Sequence, residues 1–329
     1  MKNQIVGKQR ELKIEDREFV FRKEKFKIKF HFLIDTESKE EFTTTELDEI
    51  NTNQVYNQYR EKHNLPFPDE IKKLREKYEL PATKMSEILG FGVNTYRNYE
   101  DGEVPADANA KLIQLAEDPH VFRKLVRISS LEGAFKKKLI ARIDDLINKV
   151  EEAELEFKPV LFNENVAYEF SGYRKPSLDR VTEMIVYFTE KLKPWKTQMN
   201  KLLFYADFFN FKKSGFSISG MPYRAIDMGP VVADFNVVFD YCATRDHVDV
   251  YSTPFDNGGV GEQFKPNKKR KFNKSMFEPA ELEILDSVVQ KFGSMKTKQL
   301  VDYSHNEKGW KQNQKTHELI SYKYAFDIQ

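Results

Sequence analysis

The sequence predicts a multidomain, mainly α chain of α+β type: a small α+β module, a helix-turn-helix bundle, and a larger helical domain with short β-strands. Three observations carry this. Residues 17–34 alternate apolar and polar side chains with the two-residue period of a strand, residues 69–153 form a series of helical-period segments broken by turn residues, and residues 178–326 combine aromatic-dense helices with glycine-punctuated extended pieces. At 329 residues the chain exceeds a typical single domain, and a hydrophobic fraction of 40% suffices for more than one core.

Within the first module, residues 1–66, the run REFVFRKEKFKIKFHFLI reads as a strand or hairpin with Phe26, Ile28, Phe30 and Phe32 on one face and Lys25, Lys27, Lys29 and His31 on the other. A lysine row can meet phosphate or an acidic partner, but a solvated edge face is its commoner use. From Thr45 to His63 the pattern becomes helical through Leu47, Ile50, Val55, Tyr56 and Tyr59, and LPFP at 65–68 closes the module.

The second unit, residues 67–153, opens with an acidic turn at Asp69 and predicts helices over 69–78, 82–89, 93–99, 107–116 and 119–128. Ser130 can cap a longer helix over 131–153, whose stripe of Phe135, Leu139, Ile143, Leu146, Ile147 and Val150 suits either a dimer seam or a lid on the preceding helices. Periodicity alone does not separate the two. Residues 154–177, with Pro159, Gly172 and Pro176, read as a linker with some strand content.

In the last unit, residues 178–329, helices are expected over 178–192 and 197–213. The second carries Leu202, Leu203, Phe204, Tyr205, Phe208, Phe209 and Phe211 around nearly its whole circumference and should be buried on most sides. Pro230 is expected to start a helix over 231–244, strands are expected at 247–252 and 260–265, and helices at 278–292 and 297–304 close the domain. The basic run KPNKKRKFNK at 265–274 reads as a solvated loop rather than a nucleic-acid patch, because Pro266, Asn267 and Asn273 interrupt it.

Residues 90–105, GFGVNTYRNYEDGEVP, are the most informative stretch. Gly90 and Gly92 permit a sharp reversal, Val93, Tyr96 and Tyr99 fall on one face of the following helix, and Asn94, Thr95, Arg97 and Asn98 fall on the other. Asn reads adenine and Arg reads guanine in the major groove, so these four are the candidate DNA-binding residues of a helix-turn-helix. The alternative is an ordinary helical packing unit with a solvated polar face. Formal net charge is only +1, from 53 basic and 52 acidic residues, so DNA affinity would have to be local.

Composition also sets exclusions. Cys242 is the single cysteine, which rules out an internal disulfide and a multi-thiolate zinc site and fits a reducing compartment; with no apolar N-terminal run and no membrane-length segment, a cytoplasmic location and no membrane partner are expected. Asp207, His247, His305 and Cys242 are the catalytic candidates, yet Cys242 lies on an apolar helix face, Asp207 on a buried helix suited to accepting loop hydrogen bonds, and His305 beside Trp310 at a helix end. No phosphate-binding loop, nucleophile elbow or paired metal motif occurs, so neither catalysis nor a cofactor or metal is expected.

Two family resemblances follow. With GVNTYRNYEDG and Pro105, residues 69–128 resemble the helix-turn-helix domain of the MqsA (YgiT-type) antitoxins, within the XRE-like class. The resemblance implies base reading by Asn94. The family's Arg aligns with Asn98, while Arg97 sits one residue earlier, about 100° around the helix. In that family the N-terminal module carries two Cys pairs that bind zinc; residues 1–64 hold no cysteine, so they resemble a metal-free, degenerate version. Residues 180–325, through KLLFYADFF, ISGMPYRAIDMGPVV and SHNEKGW, resemble the Panacea (SocA-like) domain of antitoxins. That implies neutralisation of a cognate toxin protein by direct binding, and in combination with a DNA reader it implies operon autoregulation on operator DNA, with a homodimer expected on a palindrome. A toxin similar to the small alarmone synthetases that modify tRNA is a reasonable partner. Phe216, Met221, Tyr223 and Met228, in or beside loops, are the candidate toxin-binding residues. A stand-alone transcription regulator or a proteolytic adaptor is the other reading.

Overall fold

The computed structural model describes residues 10–153, 166–254 and 259–328. In chain order the elements are β1 (Arg10–Phe21), β2 (Glu24–Asp35), β3 (Glu41–Phe42), α1 (Thr45–His63), α2 (Pro68–Lys77), α3 (Ala82–Leu89), α4 (Thr95–Glu100), α5 (Asp107–Leu115), α6 (Pro119–Ile128) and α7 (Gly133–Ala153). They continue with α8 (Leu178–Leu192), α9 (Lys196–Ser214), β4 (Tyr223–Ile226), β5 (Gly229–Val232), α10 (Phe235–Thr244), β6 (Val248–Pro254), β7 (Val260–Pro266), α11 (Pro279–Phe292), α12 (Thr297–Ser304) and α13 (Lys308–Asn313). The chain divides into two compact units, Met1–Val55 with Leu161–Gln329, and Tyr56–Val160. The expected linker stretch at 154–165 and the side chain of Val150 lie outside the described residues.

In the first unit the N-terminal hairpin joins the C-terminal region instead of standing as a separate module. β1 and β2 pair antiparallel from Arg10↔Asp35 to Phe21↔Glu24, joined by Arg22 and Lys23, both with positive φ (48° and 68°) as a tight two-residue hairpin turn requires. β3 covers β2 only at Leu33 and Ile34. The open part of that β2 edge is closed by two carboxamides one turn apart on α1. Asn51 accepts from His31 N (2.8 Å) and donates to His31 O (2.8 Å), while Gln54 accepts from Lys29 N (2.9 Å) and donates to Lys29 O (2.8 Å). Each amide supplies the donor and acceptor that a neighbouring strand would.

His31 corrects an expectation. Its alternation places it in the solvated lysine row, but it is 4% exposed, with its ring edge-on to Phe326 at 5.0 Å. The C-terminal 3-10 turn at Tyr322–Asp327 meets this face at His31, while Lys25 and Lys27, nearer the hairpin turn, stay exposed.

α9 is the axis of this unit: Leu203, Tyr205, Ala206, Phe208 and Phe211 are all buried, on every side of the helix, as the aromatic distribution requires. Around α9 pack α8, α11, α12 and β5. The helix expected from Pro230 starts only at Phe235; Gly229–Val232 is a strand paired with Tyr223–Ile226. Proline lacks the amide that a ladder needs on both sides, and β5 is the outer strand of its two-stranded ladder, where that loss is tolerated. The basic stretch 265–274 is likewise fixed rather than freely solvated. Arg270 forms an ion pair with Glu183, whose other carboxylate oxygen accepts from Asn273 N at 2.9 Å, and Phe272 N donates to Glu190 at 3.0 Å.

The second unit is all helical in its described part. Its core gathers Ile71, Tyr78, Met85, Tyr96, Ile113 and Phe122 from α2 to α6, with Tyr78 stacked on Phe122 at 3.8 Å. α7 contributes Leu139, Ile143 and Ile147 to the same core, so its stripe is engaged as a lid. Phe135, at the start of that stripe, stays exposed.

Removing one carboxamide tests the edge closure. Asn51→Ala leaves the buried backbone N–H and C=O of His31 without their partner and is expected to cost about 1–3 kcal/mol in urea unfolding. A loss below about 0.5 kcal/mol, within the range of neutral surface changes, would mean the edge does not depend on it.

Candidate functional site

Two regions carry the residues singled out from sequence, one in each unit. In the helical unit, α4 is short and its position is fixed from its buried side. Gly90, at φ +72°, ends α3 in the left-handed conformation, and Phe91 N returns to Ser86 O at 2.8 Å. Ser86 Oγ accepts from Tyr96 N (3.1 Å), Tyr96 Oη donates to Ile71 O (2.8 Å), and Asn109 Nδ2 donates to Tyr99 Oη (2.8 Å). Arg75 Nε pairs with Glu100 at 2.6 Å at the far end of the helix. α4 is thus bonded at both ends and along its inner face.

Its outer face presents Asn94, Arg97 and Asn98, all exposed, with Thr95 half-buried. Among the described residues no side chain bonds those of Asn94, Arg97 or Asn98. Val93, expected on the core face beside Tyr96 and Tyr99, is instead 72% exposed. The physical reason is that α4 begins at Thr95, with Asn94 as its cap, so Val93 lies in the preceding turn and outside the helical register.

In the other unit the segment from Gly215 to Val232 is organised by the buried carboxylate of Asp207 on α9. Oδ1 accepts from Ile218 N (2.7 Å) and Ser219 N (2.7 Å), and Oδ2 accepts from Ser219 Oγ (2.5 Å) and Tyr223 Oη (2.7 Å). Burial pushes this carboxyl above its ordinary range, and the four donors pull it back. Past Tyr223 the chain becomes β4, paired with β5 on one edge; on the other edge Ala225 N donates to Glu318 O (3.0 Å) and Ile320 N to Tyr223 O (2.7 Å). Trp310 Nε1 donates to Ile226 O at 2.7 Å, and the Trp310 ring stacks on His305 at 3.9 Å.

This frame decides which candidates can meet a partner. Met221 and Tyr223 are fully buried and are corrected to core residues: Tyr223 belongs to the Asp207 network, and Met221 O accepts from Tyr322 Oη at 2.7 Å. Phe216 is half-buried. Met228 is 52% exposed at the tip of the β4–β5 hairpin, beside Asp227, which is held by His317 at 3.1 Å.

Sequence reasoning missed Lys201, although a lysine inside KLLFYADFF was the available signal. It is fully buried on α9, its amine donates to Pro230 O at 2.9 Å, and burial lowers it to about 7. Gly229 lies against it at φ +93°, where a Cβ would come within 2.7 Å of Lys201 Cε and 2.5 Å of Ser304 Oγ. The hairpin turn therefore rests directly on α9 and α12.

The catalytic candidates do not assemble. Cys242 is buried beside Thr182 Oγ1 at 3.5 Å, and burial pushes its thiol up to about 12, away from thiolate chemistry. His247 accepts from Arg270 Nε at 3.3 Å, His305 is engaged with Trp310, and the oxygens of Asp207 are occupied by backbone and hydroxyl donors. Among the described residues no group of three or more His, Cys, Asp or Glu is placed to hold a metal ion, and no helix is long and apolar enough to cross a membrane.

Residues 199–311 match the family described as antitoxin SocA-like, Panacea domain. The match begins on α9 and ends just after Trp310, so the matched segment contains Lys201, Asp207, the whole β4–β5 hairpin and the His305–Trp310 stack. No curated protein matches the chain.

Two stability measurements check this geometry. Gly229→Ala is expected to destabilise strongly, because the added methyl meets Ser304 and Lys201 and the left-handed conformation disfavours it; a melting temperature within a degree or so of wild type would refute the contact. Lys201 titrates near 7 when folded and near 10.4 when unfolded, so between these values the unfolded chain holds more protons and stability rises with pH. The rise should show between about pH 7 and 8.5, below the ionisation of an unfolded cysteine, and Lys201→Met should flatten it. An equal slope in both proteins would show that the buried amine keeps its charge.

Proposed function

We propose that this protein is an antitoxin whose first unit holds a cognate toxin inactive by direct binding, and whose helical unit reads operator DNA and controls the operon. The observation that carries the reading is the match of residues 199–311 to an antitoxin-named domain, and that match supports a toxin–antitoxin role. The surface best suited to a toxin is the β4–β5 hairpin tip. Met228 is exposed there on a turn fixed from below by Gly229 and along its flank by Trp310, so a partner could bind it with little ordering cost. Phe216 is the second contact we assign, and a toxin similar to the small alarmone synthetases is the partner class we favour.

For DNA, the helix-turn-helix reading assigns α3 as the first helix and α4 as the recognition helix, with Asn94, Thr95, Arg97 and Asn98 facing base edges. It is supported by side chains of Asn94, Arg97 and Asn98 that point outward without a bond to any described side chain, on a helix fixed by Tyr96 and Tyr99. Basic and acidic residues nearly balance over residues 56–160, so affinity must come from this face rather than from bulk charge. Operator binding by a homodimer is part of the same proposal.

Asn94→Ala should weaken promoter binding by about 1–3 kcal/mol in gel-shift titration while leaving the melting temperature unchanged. Equal wild-type affinity for promoter and scrambled DNA would end the DNA reading. For neutralisation, the full chain is co-expressed with the growth-arresting product of a neighbouring gene. Met228→Asp should abolish rescue and co-purification without loss of folded protein; rescue by this variant at wild-type level would remove the hairpin tip from the interface.

A further inference from the structure

β1 forms an outer edge of the three-stranded N-terminal sheet. The register from Phe21↔Glu24, closed by a two-residue turn, directs the N–H and C=O groups of the odd-numbered β1 residues toward β2 and those of Leu12, Ile14, Asp16, Glu18 and Val20 outward. The bonds of Lys29 and His31 to Gln54 and Asn51 on the opposite edge fit the same phase. Among the described residues nothing pairs with the outward groups of β1. The sheet order β1-β2-β3 leaves this strand at the edge over all 12 residues. Leu12 and Ile14 are 47% and 38% exposed beside it. A long strand edge with apolar side chains is a pairing surface unless something blocks it.

The charges on β1 would block most partners but fit one. On one face the strand reads Glu11, Lys13, Glu15, Arg17, an alternation of sign; on the other, Arg10 and Glu18 flank Leu12, Ile14 and Asp16. An antiparallel copy related by a twofold axis through Ile14 sets Glu11 opposite Arg17, Lys13 opposite Glu15 and Arg10 opposite Glu18 of the second copy, each pair made twice. Ile14 meets Ile14, and Leu12, directly opposite Asp16 of the second copy, lies diagonal to the Ile14 pair. Moving the axis by one residue either way sets Glu15 against Glu15 with Lys13 against Arg17, or Lys13 against Lys13 with Glu11 against Glu15. Like charges directly opposite are destabilising, so the sequence favours the Ile14-centred register over its neighbours.

We propose that β1 pairs with β1 of a second copy of this chain, antiparallel and centred on Ile14, joining two three-stranded sheets into one continuous sheet. The pairing forms about ten backbone hydrogen bonds, two for each of the facing residue pairs whose groups point outward. The contact is small beside obligate interfaces, so the dimer should be concentration-dependent in the micromolar range and should weaken with added salt. It is independent of the DNA and toxin readings.

The test uses the full-length protein in sedimentation velocity across micromolar concentrations, with charge variants at exposed or half-exposed positions that the fold does not need. Lys13→Glu sets like charges together at positions 13 and 15 and should shift the protein to monomer; adding Glu15→Lys restores opposite signs across the axis and should restore the dimer. Cysteine placement fixes the register. Ile14→Cys brings two thiols together on facing residues about 5.5 Å apart at Cα, within disulfide reach, and should cross-link under mild oxidation, whereas Leu12→Cys and Asp16→Cys should not. The native Cys242 is buried and stays out of the reaction. A wild type that is monomeric throughout the range overturns the proposal. So does a dimer unmoved by Lys13→Glu and without the Ile14→Cys cross-link, which would place the interface elsewhere. A monomeric wild type in which Ile14→Lys abolishes toxin co-purification would assign the edge to a toxin strand and overturn the second-copy proposal equally.

Discussion

The first unit depends on one buried carboxylate. Asp207 sits on a helix with no exposed side through most of its length, where an uncompensated charge would cost far more than the whole net stability of a domain. Its solution is to pull in the chain from Ile218 to Tyr223, which supplies two amides and two hydroxyls. The β4–β5 hairpin that follows is placed by this choice. Tyr223 enters the core and starts β4, β4 takes β5 on one side and residues 318–320 on the other, and Tyr322 returns to bond Met221 O over the same core. The turn at Asp227 and Met228 is left outside, as is the side chain of Arg224.

The same device, a polar side chain standing where backbone or water would otherwise be, recurs at other boundaries of the fold. Asn51 and Gln54 close the edge of β2 from a helix, and Ser86 and Tyr96 tie α4 to its neighbours. Lys201 satisfies Pro230 O, an acceptor on the outer strand β5. Buried polar groups of this kind specify position more than they add net stability, since each bond gains only about 1 kcal/mol over water while its loss leaves an orphan. Against this background β1, whose outward groups meet no partner among the described residues, is the exception, and under the proposed pairing its alternating charges select the register.

Sequence periodicity located most helices to within a residue or two: α3, α8 and α12 coincide with the expected ranges, α11 differs by one residue at its start, and α9 is one residue longer at each end. Such elements have a local signal, a repeated apolar spacing closed by a cap. Apart from Val93, which a later start of α4 leaves in the preceding turn, the differences from expectation are non-local. Pro230 carries the same local signal whether it starts a helix or lies in an outer strand, and only its ladder with Tyr223–Ile226 decides. His31 alternates like a solvated residue, and what buries it lies near the other end of the chain at Phe326. Tyr223 and Met221 read as loop residues, yet a loop folded onto a buried carboxylate is core. Asp207 itself was legible as an acceptor for loop backbone, because an acidic residue inside an aromatic helix has few other uses.

Under the proposed roles the two binding surfaces differ in how freely they can change. On α4 the reading side chains bond nothing else described, while position and angle are set by Tyr96, Tyr99 and Arg75 on the inner side. Substitution at Asn94, Arg97 or Asn98 would therefore alter base preference at little cost to folding. The β4–β5 hairpin is the opposite case. Gly229 cannot carry a side chain, Ile226 and Pro230 are held through their carbonyls by Trp310 and Lys201, and Tyr223 belongs to the Asp207 network. Variation in what this surface binds is confined to Asp227, Met228 and neighbouring exposed positions. A rigid turn with few adjustable side chains suits recognition by shape and a small apolar anchor, and it ties any change in partner to a narrow set of positions.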